Sequence, residues 1–363
     1  MLHRDRLERL IEILKERELD GVFIGPSSDL KYLTELDFFP DARTKGLFVS
    51  RKGRAFFLCP VSHRHSVTDL EDVPILEWQD SEGAHGAFRR GLEGAELPSN
   101  PTLAFTKGLE AGSMLELVEG LEVRCVSGLN LLIPLRSVKS REEQAKMRHA
   151  SAMCDSMMEA LVGYLRPGLR EREVRNFIMN FHESRGGKPR VPCVASGPNS
   201  CHSHYFGDND RAISENDIVM IDSGGWYSGY SHDMTRTFFI GGATEKQRRV
   251  YDIVLQAQSA AEAKVRPGAV PSDLDATARR IIQDAGYGHA FPHSLGHSIG
   301  LDGQELPHLN HFNHEPLVSG NCFSVEPGIY LPGEFGVRIE NIVLVTDTGY
   351  EPLNRFSKEL VIL

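Results

Sequence analysis

Two aspartates, Asp222 and Asp233, lie eleven positions apart in the segment IDSGGWYSGYSHDMTRT, separated mostly by glycine, aromatic and small polar residues. A single extended strand would hold them roughly 36 Å apart, and a helix would hold them about 16 Å apart along its axis. They can approach each other only if the chain reverses, and the stretch GGWYSGY is typical of such a reversal. The sequence therefore predicts a β-hairpin that brings two carboxylates together.

A second pair of acids, Glu326 and Glu340, lies on apolar segments farther along the chain. The glutamates belong to CFSVEP and VRIENIVLV, with the reversal PGIYLPGEFG between them. An ionised carboxylate inside a sheet is costly unless it is paired or bound to a metal. Any one of these acids taken alone is better explained by an exposed strand face. Together, with the histidine-rich segment HSLGHSIG between the two pairs, they indicate a site.

Four carboxylates and one imidazole form a donor set for two divalent cations. The four negative charges neutralise two such ions, and the oxygen-rich composition suits manganese, with zinc or cobalt as alternatives. Two ions about 3.5 to 4 Å apart can activate a water molecule, polarise a carbonyl and anchor an amine. The sequence therefore predicts metal-dependent hydrolysis.

The elements that carry these acids follow an order that occurs twice after about residue 140. Each half is predicted to contain two helices followed by two strands that form a hairpin with two acids. The predicted elements are helices at 140–165 and 170–186 with strands near 216–223 and 232–240, then helices at 244–265 and 271–286 with strands near 320–326 and 337–346.

The chain before residue 135 has a different character. Short apolar runs (VFIG, TKGLFVS, RAFFLCP) alternate with helical stretches such as SSDLKYLTEL, and no cluster of chemically useful residues occurs among them. This alternation predicts an α/β domain. A long helical pattern then begins with Ser140 and Glu143 at the spacing of a capping box. We therefore expect two domains, at 1–135 and 136–363.

Composition excludes several classes of function. The formal net charge of -10, from 40 basic and 50 acidic residues, gives no electrostatic footprint for nucleic acid or an anionic membrane. No apolar run approaches the roughly 20 residues of a membrane span, and the amphipathic N-terminus is unlike a signal peptide. Six widely spaced cysteines without a CxxC pair predict reduced thiols in a cytoplasmic protein. Cys201, beside two histidines, is the one alternative nucleophile.

The acids and the histidine-rich segment resemble the metal site of the pita-bread metallopeptidases, which include methionine aminopeptidase, Xaa-Pro aminopeptidase and prolidase. All five ligand positions of that family are filled here, by Asp222, Asp233, His297 in HSLGH, Glu326 in EPGIY and Glu340 in VRIEN. The resemblance covers residues 140–350, and SSDLKYLTEL is similar to the N-terminal domain of Xaa-Pro aminopeptidases and prolidases. It implies an α/β N-terminal domain followed by an α+β pita-bread catalytic domain with a pseudo-two-fold repeat. It also implies a homodimer that cleaves the bond preceding proline in peptides or dipeptides.

The resemblance further implies roles outside the ligand set. His204 in SHYF matches the family's active-site histidine, and His293 matches a histidine that lines the substrate pocket. Glu326 is expected to act as general base as well as ligand, passing a proton from the attacking water to the leaving nitrogen. Arg338 is expected beside the substrate site, hydrogen-bonding the acids around the metals, with a plain salt bridge as the alternative.

One position departs from the family pattern. A histidine usually follows the ligand histidine by seven residues and donates a hydrogen bond near the scissile carbonyl, whereas this chain has Gln304 there, in GLDGQELPH. A glutamine amide can donate, but it cannot take up a proton. Rate, specificity or pH profile is therefore expected to be unusual, although His308, His311 or His314 of the same loop is an alternative donor.

Three functions remain open at this level. The first expectation is an aminopeptidase that acts on Xaa-Pro-Yaa peptides. A dipeptidase that acts on Xaa-Pro uses the same metal chemistry and differs by what binds the proline carboxylate. The third reading is a family member with another role. It is either a metal-binding relative with a non-proline substrate or a non-catalytic peptide-binding relative, and the latter is disfavoured because such relatives generally lose metal ligands.

Overall fold

The computed structural model describes residues 2–67, 70, 72–207 and 209–363. The chain divides into two units, Met1–Arg136 and Ser137–Leu363. Within the described ranges, no helix is long and apolar enough to cross a membrane.

A six-stranded mixed sheet forms the centre of the N-terminal unit. Its strands are β1 (Gly21–Ile24), β2 (Gly46–Ser50), β3 (Ala55–Pro60), β4 (Ile75–Trp78), β5 (Thr102–Phe105) and β6 (Arg124–Ser127). Their order is β4-β3-β2-β1-β5-β6, with β1 antiparallel to β2 and parallel to β5. The accompanying helices are α1 (Arg4–Glu16), α2 (Ser28–Thr34), α3 (His85–Glu93), α4 (Ala111–Leu117) and α5 (Ile133–Arg136). This is the α/β arrangement that the sequence predicts.

Four helices of the C-terminal unit flank two antiparallel ribbons. They are α6 (Arg141–Val162), α7 (Glu171–Glu183), α8 (Glu245–Glu262) and α9 (Pro271–Asp284). The predicted capping box begins α6: the Ser140 hydroxyl accepts from the Glu143 N–H at 3.2 Å, and Glu143 Oε2 accepts from the Ser140 N–H at 2.7 Å. Two N–H groups that would lack a helical partner are thereby satisfied.

The first ribbon carries the aspartates. It consists of β9 (Ile218–Tyr227) and β10 (Tyr230–Phe239), with β7 (Lys188–Pro189) and β8 (Cys193–Ser196) paired to β9 and β18 (Val361–Ile362) paired to β10. The chain reverses at Ser228 and Gly229, whose φ angles of 51° and 82° match a two-residue type I′ turn. The reversal is therefore narrower than the predicted GGWYSGY, and Gly224 and Gly225 belong to β9.

The second ribbon differs from the predicted simple hairpin. Its strands are β11 (Gly296–Ser298), β12 (Glu305–Leu309), β13 (Cys322–Val325), β14 (Gly328–Leu331), β15 (Phe335–Arg338), β16 (Asn341–Val345) and β17 (Tyr350–Pro352). β13 and β16 pair in a five-stranded sheet of order β12-β11-β13-β16-β17, whereas the tip, β14 and β15, forms a separate two-stranded sheet. The strand predicted at 337–346 is thus broken between Arg338 and Asn341.

Each ribbon packs one face against its own pair of helices. Val219 and Ile221 of β9 and Met234 of β10 belong to one core cluster with apolar residues of α6 and α7. Phe323 and Val343 of the second ribbon belong to another with residues of α8 and α9. Alternate strand residues point to opposite faces, so Asp222 and Asp233 lie on the face of the first ribbon that α6 and α7 do not cover. This repeat is the pseudo-two-fold arrangement of the pita-bread fold.

Candidate metal centre

The two aspartates lie on one face of the first ribbon. Asp222 of β9 is opposite Thr235 in the antiparallel register, and Asp233 of β10 is opposite Gly224. Directly opposed residues share a face, and so do residues two apart along a strand, so both carboxylates point to the same side. The hairpin predicted from their spacing brings Asp222 and Asp233 together.

The two glutamates lie at the break in the second ribbon. Glu326 directly follows Val325 and Glu340 directly precedes Asn341, and these two neighbours form the last pair of the β13–β16 ladder. The Glu340 N–H donates to the Thr235 carbonyl at 3.1 Å, and the Thr235 hydroxyl donates to Glu340 Oε2 at 2.6 Å. The break therefore turns both glutamates toward the aspartate hairpin.

His297 completes the group from β11. Its Nδ1 lies 3.0 Å from the Ser298 carbonyl, which can only accept, so Nδ1 carries the proton and Nε2 keeps its lone pair. Nε2 lies 3.4 Å from Glu326 Oε1. Ligand atoms of Asp233, His297 and Glu340 all lie within 4.8 Å of one another, close enough to contact one ion.

Gly296 provides the space that this position of His297 requires. A Cβ on Gly296 would lie 1.9 Å from the Ser324 carbonyl oxygen, so only glycine allows this approach of backbones. The Ser324 hydroxyl in turn accepts from the His297 N–H at 3.0 Å and donates to Glu326 Oε1 at 2.9 Å. The glycine in HSLGHSIG is thus part of the site's geometry.

The electrostatics of the acids favour bound cations. Burial, reinforced by neighbouring carboxylates, raises the pKa values of Asp233 and Glu340 well above the usual range and that of Glu326 to about 8. Burial acts in the same direction on Asp222, but Arg338 and Arg190 hold its pKa below the usual value. Bound cations would favour the ionised form of these crowded carboxylates. A donor set of four carboxylates and one imidazole suits divalent first-row metals. The donor set therefore fits the two divalent ions that the sequence predicts.

Arg338 connects the acids to the predicted substrate pocket. Its guanidinium donates to Asp222 Oδ2 at 2.8 Å, to the Thr235 hydroxyl at 3.0 Å and to the Tyr330 hydroxyl at 2.8 Å. The Tyr330 oxygen lies 2.9 Å from His293 Nε2, while His293 Nδ1 lies 2.8 Å from the Ser294 carbonyl. Burial lowers the pKa of His293 to about 4, so this imidazole is neutral and its tautomer is fixed. Tyr330 was not singled out from the sequence, although it ends the quoted motif EPGIY.

Arg190 is a contact that sequence reasoning missed. Its Nη2 donates to Asp233 Oδ1 at 2.9 Å and to Asp222 Oδ1 at 3.1 Å, and the charge of Asp233 raises its pKa. A Cβ on Gly224 would lie 2.8 Å from the guanidinium carbon, so any larger residue there would require the arginine side chain to shift. The signal in the sequence was the glycine pair, which we interpreted as a turn.

The other predicted residues are less buried than Asp233 and Glu340. His204 is exposed, and partial burial together with the charge of Arg338 lowers its pKa. Gln304 is exposed directly before β12. His308 lies opposite His297 in the β11–β12 pairing, on the same face, and of the three loop histidines it is the one paired with the ligand strand. Cys201 is half-buried and makes no disulfide.

Two family models match the chain. Residues 6–138 match the creatinase/prolidase N-terminal domain, and residues 145–347 match metallopeptidase family M24. A Staphylococcus aureus protein described as an uncharacterized peptidase is 31% identical over 360 residues, covering 97% of this chain and 99% of that protein.

Solved structures extend the similarity to the whole chain. A dipeptidase from Pyrococcus horikoshii OT3 is 33% identical with a TM-score of 0.93, covering 99% of this chain and all of that one. A prolidase from Thermococcus sibiricus is 29% identical with a TM-score of 0.92, and the match covers 100% of both chains. Both family models match, and the acids and His297 come from the two ribbons of the C-terminal unit. The chain therefore belongs to metallopeptidase family M24, with a creatinase/prolidase N-terminal domain before the catalytic domain.

Proposed function

We propose that this metallopeptidase is an Xaa-Pro dipeptidase that uses two divalent ions, with manganese as the preferred metal. The observation that carries the proposal is the cluster of Asp233, His297 and Glu340 in a chain similar over its whole length to a dipeptidase and a prolidase. Glu326 lies against His297, and Asp222 shares Arg190 with Asp233. The sequence alone placed the aminopeptidase first. The whole-length similarity to these two structures favours the dipeptidase instead.

Five residues would hold the ions: Asp222, Asp233, His297, Glu326 and Glu340. When bound, two divalent ions neutralise the acids, polarise the scissile carbonyl and lower the pKa of a water molecule. The protein contributes fixed ligand positions, because Thr235 and Ser324 hydrogen-bond two of the carboxylates. Ligands held in this way need little reorganisation when substrate arrives.

Glu326 is the proposed general base. The Ser324 hydroxyl and His297 Nε2 both lie against Oε1, at 2.9 and 3.4 Å, so Oε2 is the atom that takes the proton. The water oxygen adds to the carbonyl carbon of the residue before proline while its proton moves to Oε2. The C–N bond then breaks, and the same proton passes to the proline nitrogen.

The histidines are proposed to contact the substrate. His293 is held by Tyr330 and Ser294 as a neutral wall of the pocket. His204, whose pKa is lowered, is neutral at physiological pH and is proposed to donate a hydrogen bond to the substrate carbonyl. Gln304 is proposed to donate a second hydrogen bond to the substrate.

The test compares Ala-Pro with Ala-Pro-Ala. The protein is stripped of metal, reloaded with manganese, zinc or cobalt, and assayed for release of alanine. We expect metal-dependent cleavage of Ala-Pro, greatest with manganese, and little cleavage of the tripeptide. Preference for the tripeptide would instead identify an aminopeptidase, and cleavage of neither peptide by metal-loaded protein would contradict action on proline peptides.

A further inference from the structure

The carboxylate of a dipeptide substrate requires a cationic partner, and the structure offers one beside the aspartates. This inference rests on the proposed dipeptidase function. In Xaa-Pro the free carboxylate belongs to the same residue as the scissile nitrogen, so its partner must lie close to the metal ligands. Arginine is the side chain best suited to this task, because its planar guanidinium matches a carboxylate with two parallel hydrogen bonds.

Two arginines contact Asp222, and they differ in availability. The Arg338 side chain is only 3% exposed, and its three nitrogens are committed to Asp222, Thr235, Tyr330 and the Ser203 carbonyl. The Arg190 side chain is 33% exposed. Its hydrogen bonds to described residues use Nη2 alone, so Nε and Nη1 remain available.

The Nη1 side of the Arg190 guanidinium faces the loop that contains Gly303 and Gln304. Its N–H donates to the Gly224 carbonyl at 3.0 Å, which fixes the backbone against β9. Nη1 lies 3.5 Å from the position of a Cβ on Gly303, and Gly303 precedes the exposed Gln304. The guanidinium therefore extends from the two aspartates to the loop that precedes β12.

The contacts of Arg190 with the aspartates are compatible with release. Cations held by Asp222 and Asp233 compete with the guanidinium for the same oxygen atoms, because one site cannot satisfy both sets of positive charge. The backbone hydrogen bond from Arg190 to Gly224 does not involve these oxygens, and a guanidinium displaced from them would have Nη2 available as well.

We propose that Arg190 determines specificity for dipeptides by binding the C-terminal carboxylate of the substrate. A longer peptide has an amide at that position, which gives the guanidinium no charge to pair with. Arg190 takes no part in the proton transfers of hydrolysis, so its effect belongs in substrate affinity.

The first experiment measures KM and kcat for Ala-Pro and its uncharged analogue Ala-Pro-amide. Arg190→Met is expected to raise the ratio of KM for Ala-Pro to KM for the amide about 10- to 100-fold, the range of one charge-assisted hydrogen bond. Arg190→Lys should retain part of the preference, because it keeps the charge. Arg249→Met, at an exposed position on α8, is the matched control and should leave both values unchanged.

The second experiment measures affinity without turnover. Calorimetric titration with L-proline and L-prolinamide should show that the wild-type protein binds proline more tightly and that Arg190→Met loses this difference. If Arg190→Met lowers the affinity for both ligands by the same factor, the ratio of the two affinities is unchanged and Arg190 does not bind the carboxylate. If the wild-type protein binds proline but cleaves no Ala-Pro, the proposed function fails, while the ratio of the two affinities still decides on Arg190.

Discussion

Thr235 and Glu340 hold each other by two hydrogen bonds across the two ribbons. The Thr235 hydroxyl donates to Glu340 Oε2 at 2.6 Å, and the Glu340 N–H donates to the Thr235 carbonyl at 3.1 Å. A residue of the aspartate hairpin thereby sets both the backbone and the carboxylate of a glutamate from the other ribbon. The relative positions of the proposed ligands depend on this pair.

Replacing Thr235 by valine should weaken metal binding. The change keeps the shape of the side chain but removes the donor to Glu340 and the acceptor for Arg338. We expect metal affinity to fall about 10- to 100-fold, the range for partners that orient a ligand. Thr237→Val is the matched control, because the Thr237 hydroxyl donates to the Arg338 carbonyl and contacts no carboxylate. Equal metal affinities in the two variants, measured by calorimetry, would contradict this role of Thr235.

Replacing Asp233 by asparagine should remove metal and activity together. The substitution preserves shape but takes a negative charge from the centre of the site, where burial and neighbouring acids already disfavour ionisation. We expect metal content to fall by at least one ion per chain and hydrolysis to fall at least about 100-fold, more than for partners that only orient a ligand. Asp252→Asn, at an exposed position on α8, should change neither quantity. Retained activity in Asp233→Asn would remove this residue from the ligand set.

Replacing Gln304 by histidine tests the departure from the family pattern. An imidazole at this exposed position can donate a hydrogen bond near the substrate and can also take up a proton, which an amide cannot. If glutamine has merely weakened an ancestral activity, kcat for Ala-Pro should rise by about 100-fold, the lower end of the range for one added proton-transfer group. Gln304→Asn keeps the amide and should show no such rise. An unchanged or lower kcat in Gln304→His would mean that glutamine serves this enzyme's substrate.

His182 should make the fold sensitive to acid. It is buried, stacks on His232 with ring centroids 4.8 Å apart, and its Nε2 has no hydrogen-bond partner in the described structure. Burial, reinforced by Arg185, lowers the pKa of His182 from 6.5 to about 4. A depressed histidine pKa stabilises the fold fully above pH 6.5, and this contribution is lost as pH falls toward 4, on the order of 3 kcal/mol in all.

The measurement is the free energy of unfolding by urea between pH 7 and pH 4.5. His182→Phe keeps an aromatic ring against His232 and should lose less stability over this range than the wild type. His289→Phe changes an exposed histidine and should leave the slope as it is. Parallel curves for the wild type and His182→Phe would show that His182 is not the group responsible.

The acids of the site could be predicted from the sequence, but the residues that contact them could be predicted only in part. Asp222 and Asp233 could be paired because a carboxylate on an apolar strand demands a reason, and because hairpin register follows from spacing. The capping box at Ser140 was predictable because its two hydrogen bonds are local. Arg190 was missed because its contact with the aspartates depends on how a separate short strand lies across β9, and no local pattern encodes that pairing.

The second ribbon shows the same limit in backbone form. The predicted strand at 337–346 alternates apolar and polar residues at its start and is apolar from Ile342 to Val345, so periodicity alone gave no reason to break it. The break arises because β15 pairs only with β14 whereas β16 pairs with β13 and β17, a choice made by tertiary packing. Glu340 lies in that break, and its orientation could not be derived from strand alternation.

Because the proposed ligands are divided between two ribbons, bound metal ions would hold the two halves of the catalytic unit together as well as support hydrolysis. Asp222 and Asp233 belong to one half of the catalytic unit, and His297, Glu326 and Glu340 belong to the other. Ions that bind only the assembled halves stabilise that assembly in proportion to the logarithm of their concentration over the dissociation constant. Chelation should therefore loosen the seam between the halves, exposing it to proteolysis and lowering the melting temperature in a metal-dependent way.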